Sequence, residues 1–102
     1  MTGAPVVAVT VRRQDGSTLD LHGRPAFTLH EMLQAGDAGI TAMSYPGVRV
    51  SHSILLLRKA GILIETVEER HGGPFQGRHG RYVLRTPLVV VAVEHQGERV
   101  LA

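Results

Sequence analysis

The side chains able to do chemistry in this 102-residue sequence gather in one stretch. Between Arg49 and Arg85 stand seven basic residues, Arg49, Arg58, Lys59, Arg70, Arg78, Arg81 and Arg85, against three acidic ones, Glu65, Glu68 and Glu69. That stretch carries +4, whereas residues 1–48 and 86–102 carry −1 each, an asymmetry that the total of +2 conceals. Ser51, His52 and Ser53 follow close on Arg49, and His71, Gln76 and His79 are interleaved with the later arginines. The arginine fork matches phosphate oxygens or the two major-groove acceptors of guanine, and serine or histidine can reach either. Recognition of a charged partner is the chemistry these types supply.

Other chemistries lack their residues. Ser51-His52-Ser53 are neighbours, and neighbours on a helix point in different directions, so no nucleophile–base pair forms among them and no catalytic residue is assigned. His71 and His79 with Glu68 or Glu69 have no fixed metal-ligand spacing. The Gly72-Gly73 to Gly80 stretch lacks the Gly-Lys-Ser/Thr ending of a phosphate-binding loop and leads into a strand. Neither cofactor, metal nor small-molecule substrate is therefore expected. Cysteine is absent, which excludes disulfides and thiolate chemistry and fits a cytoplasmic location. The longest apolar run, Leu88 to Val93, is far short of the roughly 18–20 residues of a membrane span. With only Phe27, Tyr45, Phe75 and Tyr82 as aromatics, stacking on single-stranded nucleic acid is disfavoured.

Hydropathy patterning supplies the elements that must position the basic residues. Val7, Val9 and Val11 alternate with Ala8, Thr10 and Arg12, and after the Gln14-Asp15-Gly16-Ser17 turn the alternation resumes, predicting a β-hairpin over Val6 to His22. Thr28 and Glu31 have capping-box spacing and Phe27 and Met32 that of a hydrophobic staple, predicting a helix from Leu29 to Ala35 closed by Gly36. A second short helix is expected over Ala38 to Ser44, broken by Tyr45-Pro46-Gly47-Val48. A third runs from Arg49 or Val50 to Ala60, with Val50, Ile54, Leu57 and Gly61 on one seam and Arg49, His52, Leu56 and Lys59 opposite. Leu55 and Leu56 intrude on the outer side. One of them is expected to pack on the hairpin or a strand, and exposure of both would mark a protein contact. Strands follow at Ile62 to Val67, Arg81 to Arg85 and Leu88 to Val93, the first two joined by a thirteen-residue connection from Glu68 to Gly80. His95-Gln96-Gly97 then turns into a short return over Arg99 to Leu101.

Helix, helix, turn, helix, strand, polar hairpin, strand is the order of a winged helix. The stretch Thr28 to Leu84, with its Leu57-Arg58-Lys59-Ala60-Gly61-Ile62 junction followed by Ile64-Glu65-Thr66 and Arg81-Tyr82-Val83-Leu84, resembles winged-helix domains of small bacterial and prophage-type proteins. The Gly23-Arg24 entry and Glu69-Arg70-His71-Gly72-Gly73-Pro74-Phe75 resemble a subgroup from α-proteobacteria. The resemblance implies one α+β domain: an N-terminal β-hairpin (1–24), a three-helix helix-turn-helix core with a β-hairpin wing (25–87), and a C-terminal β extension (88–102). It implies binding of double-stranded DNA by a small transcriptional or prophage-type regulator. Arg49, Ser51, His52 and Ser53 would then meet base edges. Arg58 and Lys59 would meet phosphates, and Arg70, His71, Gln76, Arg78, His79 and Arg81 in the wing would follow the backbone. The alternative is a protein-interaction module, a phage-type inhibitor or adaptor with the same basic surface on an acidic partner. Val6 to Val11 and Leu88 to Val93 either leave unpaired edges that support a homodimer or pair with each other within the chain.

Overall fold

The computed structural model describes residues 5–71 and 77–101, and for residues 70, 71 and 77–79 the backbone alone. The first hairpin forms as its alternation dictates. Strand β1 (Val6–Arg13) turns through Asp15-Gly16 into β2 (Thr18–His22). Asp15 accepts from the Ser17 hydroxyl at 2.6 Å and its amide at 2.9 Å, contacts that hold its carboxyl below the usual carboxylate range. Val9 and Val11 are buried on one face, with Leu19 and Leu21 beside them.

The first helix begins earlier than its capping box suggested. Gly23 at φ 71° turns the chain, and α1 spans Arg24–Ala35 with Pro25 in its first turn, where a missing N–H costs nothing. Thr28 is thus inside the helix rather than at its cap, and Phe27 and Met32 are not a staple across its start. The Thr28 hydroxyl is buried without a hydrogen-bond partner. Thr28→Val, which keeps the branched shape and removes the unpaired group, is expected to stabilise the fold by about 1 kcal/mol. A higher urea midpoint at unchanged slope is the result that checks it. Gly36 ends the helix at φ 59°, as its position predicted.

The expected second helix over Ala38 to Ser44 does not exist, so the described residues hold two α-helices and no three-helix core. Two short 3-10 turns, Gly36–Ala38 and Ala42–Ser44, flank a two-residue strand, β3 (Ile40–Thr41). Gly39 at φ 67° breaks any helix there, and the β-branched pair that follows is captured by hydrogen bonding in register with Tyr82 and Arg81. Helix α2 (Val50–Lys59) is followed by β4 (Ile64–His71) and β5 (Gly77–Leu84). The connection expected from Glu68 to Gly80 is largely hairpin, because Glu68 to His71 pair with Gly80 to Gly77 through the backbone.

Two antiparallel sheets result. One has the order β3-β5-β4. The other joins the chain's two ends as β2-β1-β6-β7, with β6 Leu88–His95 and β7 Glu98–Leu101. Both valine-rich strands, β1 and β6, are therefore central and pair with each other, which removes the unpaired edges on which the homodimer rested. Helix α1 lies between the four-stranded sheet and α2, and one core unites Val9 and Val11, Leu29 and Met32, Ile54 and Leu57, and Ile62 and Ile64.

Candidate nucleic-acid interface

Helix α2 turns one apolar arc inward and leaves a mixed face, polar but for Leu55 and Leu56, to solvent. Val50, Ile54 and Leu57 are buried as their spacing predicts, whereas Gly61 lies beyond the helix and is exposed. Ser53 is buried with them, only 1% exposed, because three residues after Val50 and four before Leu57 is the same side of the helix. It is therefore turned away from any ligand, contrary to the role expected of it. Ser51, His52, Arg58 and Lys59 are on the exposed side.

The turn that launches α2 is fixed to α1. Tyr45 packs edge-on against Phe27 with ring centroids 5.9 Å apart, and its hydroxyl donates to Glu31 Oε1 at 2.9 Å. Burial and the Glu31 contact together raise the Tyr45 pKa above the ordinary phenol value. Gly47 at φ 84° and then Arg49 at φ 61° bring the chain into the helix. Among the described residues Arg49 is the one non-glycine with positive φ. No side chain caps α2, and its His52 and Ser53 amides both donate to the Arg49 carbonyl, at 3.1 and 3.2 Å. Tyr45, Pro46, Gly47, Arg49, Ser51 and His52 border an open hollow of about 440 Å³ at this end. The Ser51 hydroxyl lies 3.3 Å from that of Tyr82, joining α2 to the wing strand β5. Sequence reasoning missed Tyr82, since only the β3–β5–β4 register shows where it points.

The basic residues divide into two groups. The side chains of Arg49, His52 and Lys59 have no hydrogen bond or ion pair among the described residues. Arg58 donates through Nη2 to the Ile64 carbonyl and to Thr66 Oγ1, both at 2.8 Å, so it braces α2 on β4. Arg81 Nε donates to Glu69 Oε2 at 2.9 Å and Nη1 to the Ala38 carbonyl at 3.0 Å. Glu69 raises the Arg81 pKa further. Arg85 pairs with Glu65 at 2.7 Å. Three of the seven cations counted in the sequence thus hold the fold together. In the wing, Gln76 lies outside the described residues. Arg70, His71, Arg78 and His79 are described by register alone, which sets Arg70 opposite Arg78, His71 opposite Gly77, and His79 opposite Glu69.

Leu55 and Leu56 are both exposed, at 48% and 38%, so neither packs as expected. The core side of α2 is already filled, and the N-terminal hairpin docks on α1 instead. Among the described residues no group of three or more His, Asp or Glu is arranged to hold a metal, and no helix is long and apolar enough to cross a membrane.

A family model described as a winged helix domain matches residues 18–94, from β2 to β6. No curated protein and no solved structure matches the chain.

Proposed function

Because the chain belongs to the winged helix domain family, we propose that it binds double-stranded DNA through α2 and the β4–β5 wing, as a small transcriptional or prophage-type regulator. The observation that carries this reading is the exposure of Arg49, His52 and Lys59 along α2 without internal partners, beside a wing linked to the same helix through Ser51 and Tyr82. Arg49, Ser51 and His52 at the start of α2 take the base edges and nearby phosphates, and Lys59 takes a phosphate farther along. Ser53 is not part of the surface, and Arg58 and Arg81 act as braces.

The test is an anisotropy titration of labelled random-sequence duplex at two salt concentrations. Micromolar-range affinity that falls steeply with salt is expected, and Lys59→Ala should flatten the log–log slope by about one unit. Arg81→Ala, by contrast, should lower the melting temperature and leave the slope unchanged. Absence of binding at low salt would overturn the reading. A second reading, docking on an acidic protein surface, draws on the exposed Leu55 and Leu56, and it predicts that Leu55→Ser with Leu56→Ser leaves duplex affinity unaltered while abolishing the protein complex.

A further inference from the structure

The face of the four-stranded sheet turned away from α1 holds a second site-like feature. Val9 and Val11 point to the core, so Ala8 and Thr10 between them point to the opposite face. Register aligns His22, Ala8, Glu94 and Arg99 in one row across β2, β1, β6 and β7, and Asp20, Thr10, Ala92 and Leu101 in the next. The central strands thus contribute the small Ala8, Thr10 and Ala92 beside Glu94, and the outer strands contribute His22, Asp20, Arg99 and the apolar Leu101. The product is a trough of about 150 Å³ whose floor residue Ala92 is only 2% exposed, although α1 lies against the other face of the sheet. At ~30 Å³ per water that is about five waters' worth of space, the size of a small amino acid.

The charges around the trough are of both signs and do not neutralise one another. Thr10 Oγ1 donates to Asp20 Oδ1 at 2.6 Å, which leaves Oδ2 available. Glu94 and Arg99 are cross-strand partners, yet neither side chain forms an ion pair or hydrogen bond among the described residues. Two carboxylates and one guanidinium, with the His22 imidazole beside them, around a small polar hollow fit a molecule bearing one ammonium and one carboxylate. A simple anion or cation would meet one wall of like charge, and an apolar ligand would strand three charged groups.

We infer that this trough binds a small free α-amino acid, its ammonium held by Asp20 and Glu94 and its carboxylate by Arg99. The inference is independent of DNA binding, because the trough and α2 lie on opposite sides of α1. The test is calorimetric titration of the full chain, without DNA, with glycine, L-alanine, L-serine and the remaining proteinogenic amino acids in turn. At least one should bind. Its N-acetyl and its amide derivatives, which remove one charge each, should bind about tenfold more weakly or worse, as should Arg99→Ala and Glu94→Gln proteins. Both substitutions are at the surface, and an unchanged circular-dichroism spectrum confirms that they fold. Failure of every amino acid to bind, or equal binding of the N-acetyl derivative or by the Arg99→Ala protein, overturns the inference.

Discussion

Gly39→Ala is expected to destabilise the protein by at least about 3 kcal/mol, the sum of two independent penalties. The first is conformational: φ 67° with ψ −174° is a region that essentially only glycine occupies. The second is steric. A Cβ at this position would stand 2.5 Å from the Tyr82 carbonyl oxygen and 2.9 Å from Val83 Cγ2. The oxygen belongs to β5 backbone that pairs with Ile40, so it cannot retreat without opening the β3–β5 ladder. For a domain of about this size each kcal/mol shifts the melting temperature by roughly 4–8 °C, so a fall of more than about 12 °C is anticipated by circular dichroism. Gly47→Ala is the control: φ is 84°, but nothing lies within 4 Å of the added methyl. Equal melting of the two variants would show that the close approach of Gly39 to β5 is not a real constraint.

The second large effect separates binding from stability. Arg49 holds a left-handed conformation, φ 61° and ψ 52°, that costs an L-residue about 1 kcal/mol and that glycine adopts freely. Strain of this kind is tolerated where the side chain serves a purpose. Arg49→Gly should therefore leave the fold as stable as before or slightly more so, the relief of strain being partly offset by the greater freedom of glycine in the unfolded chain. Duplex affinity should nevertheless fall by 1–3 kcal/mol, roughly five- to 150-fold, as for loss of a base-contacting arginine. Arg49→Ala should lose the same affinity while retaining the strain. If Arg49→Gly binds duplex as the parent does, Arg49 is not a DNA contact.

Features governed by local periodicity were legible. The alternation around Val9 and Val11 and the spacing of Val50, Ile54 and Leu57 place those residues in the core, as does any arrangement that buries one face of a strand or helix. The same periodicity also marks Ser53, whose polar side chain masked its position on the inner side. The start of α1 was obscured because Thr28 and Glu31 have capping spacing wherever they fall, while Gly23 and Pro25 compete for the real terminus. Ile40 and Thr41 became a strand through pairing with residues some forty positions away, beyond the reach of any local pattern. The candidate site was half legible. Counting charges located the basic stretch, but which cations remain free depends on register and packing, and that withdrew Arg58, Arg81 and Arg85 while leaving Arg49 and Lys59.

The pairing of β1 with β6 has a kinetic meaning as well. Residues 6–13 find their partner at 88–95, so the central ladder of the larger sheet closes only after both helices and the wing between them are present. During synthesis the β1–β2 hairpin is made before both helices and the wing, and its inner edge waits for β6. Such long-range closure slows folding and leaves an apolar edge exposed to neighbouring nascent chains. The platform that carries α1, and through it α2, is thus completed only by a strand made after both helices and the wing.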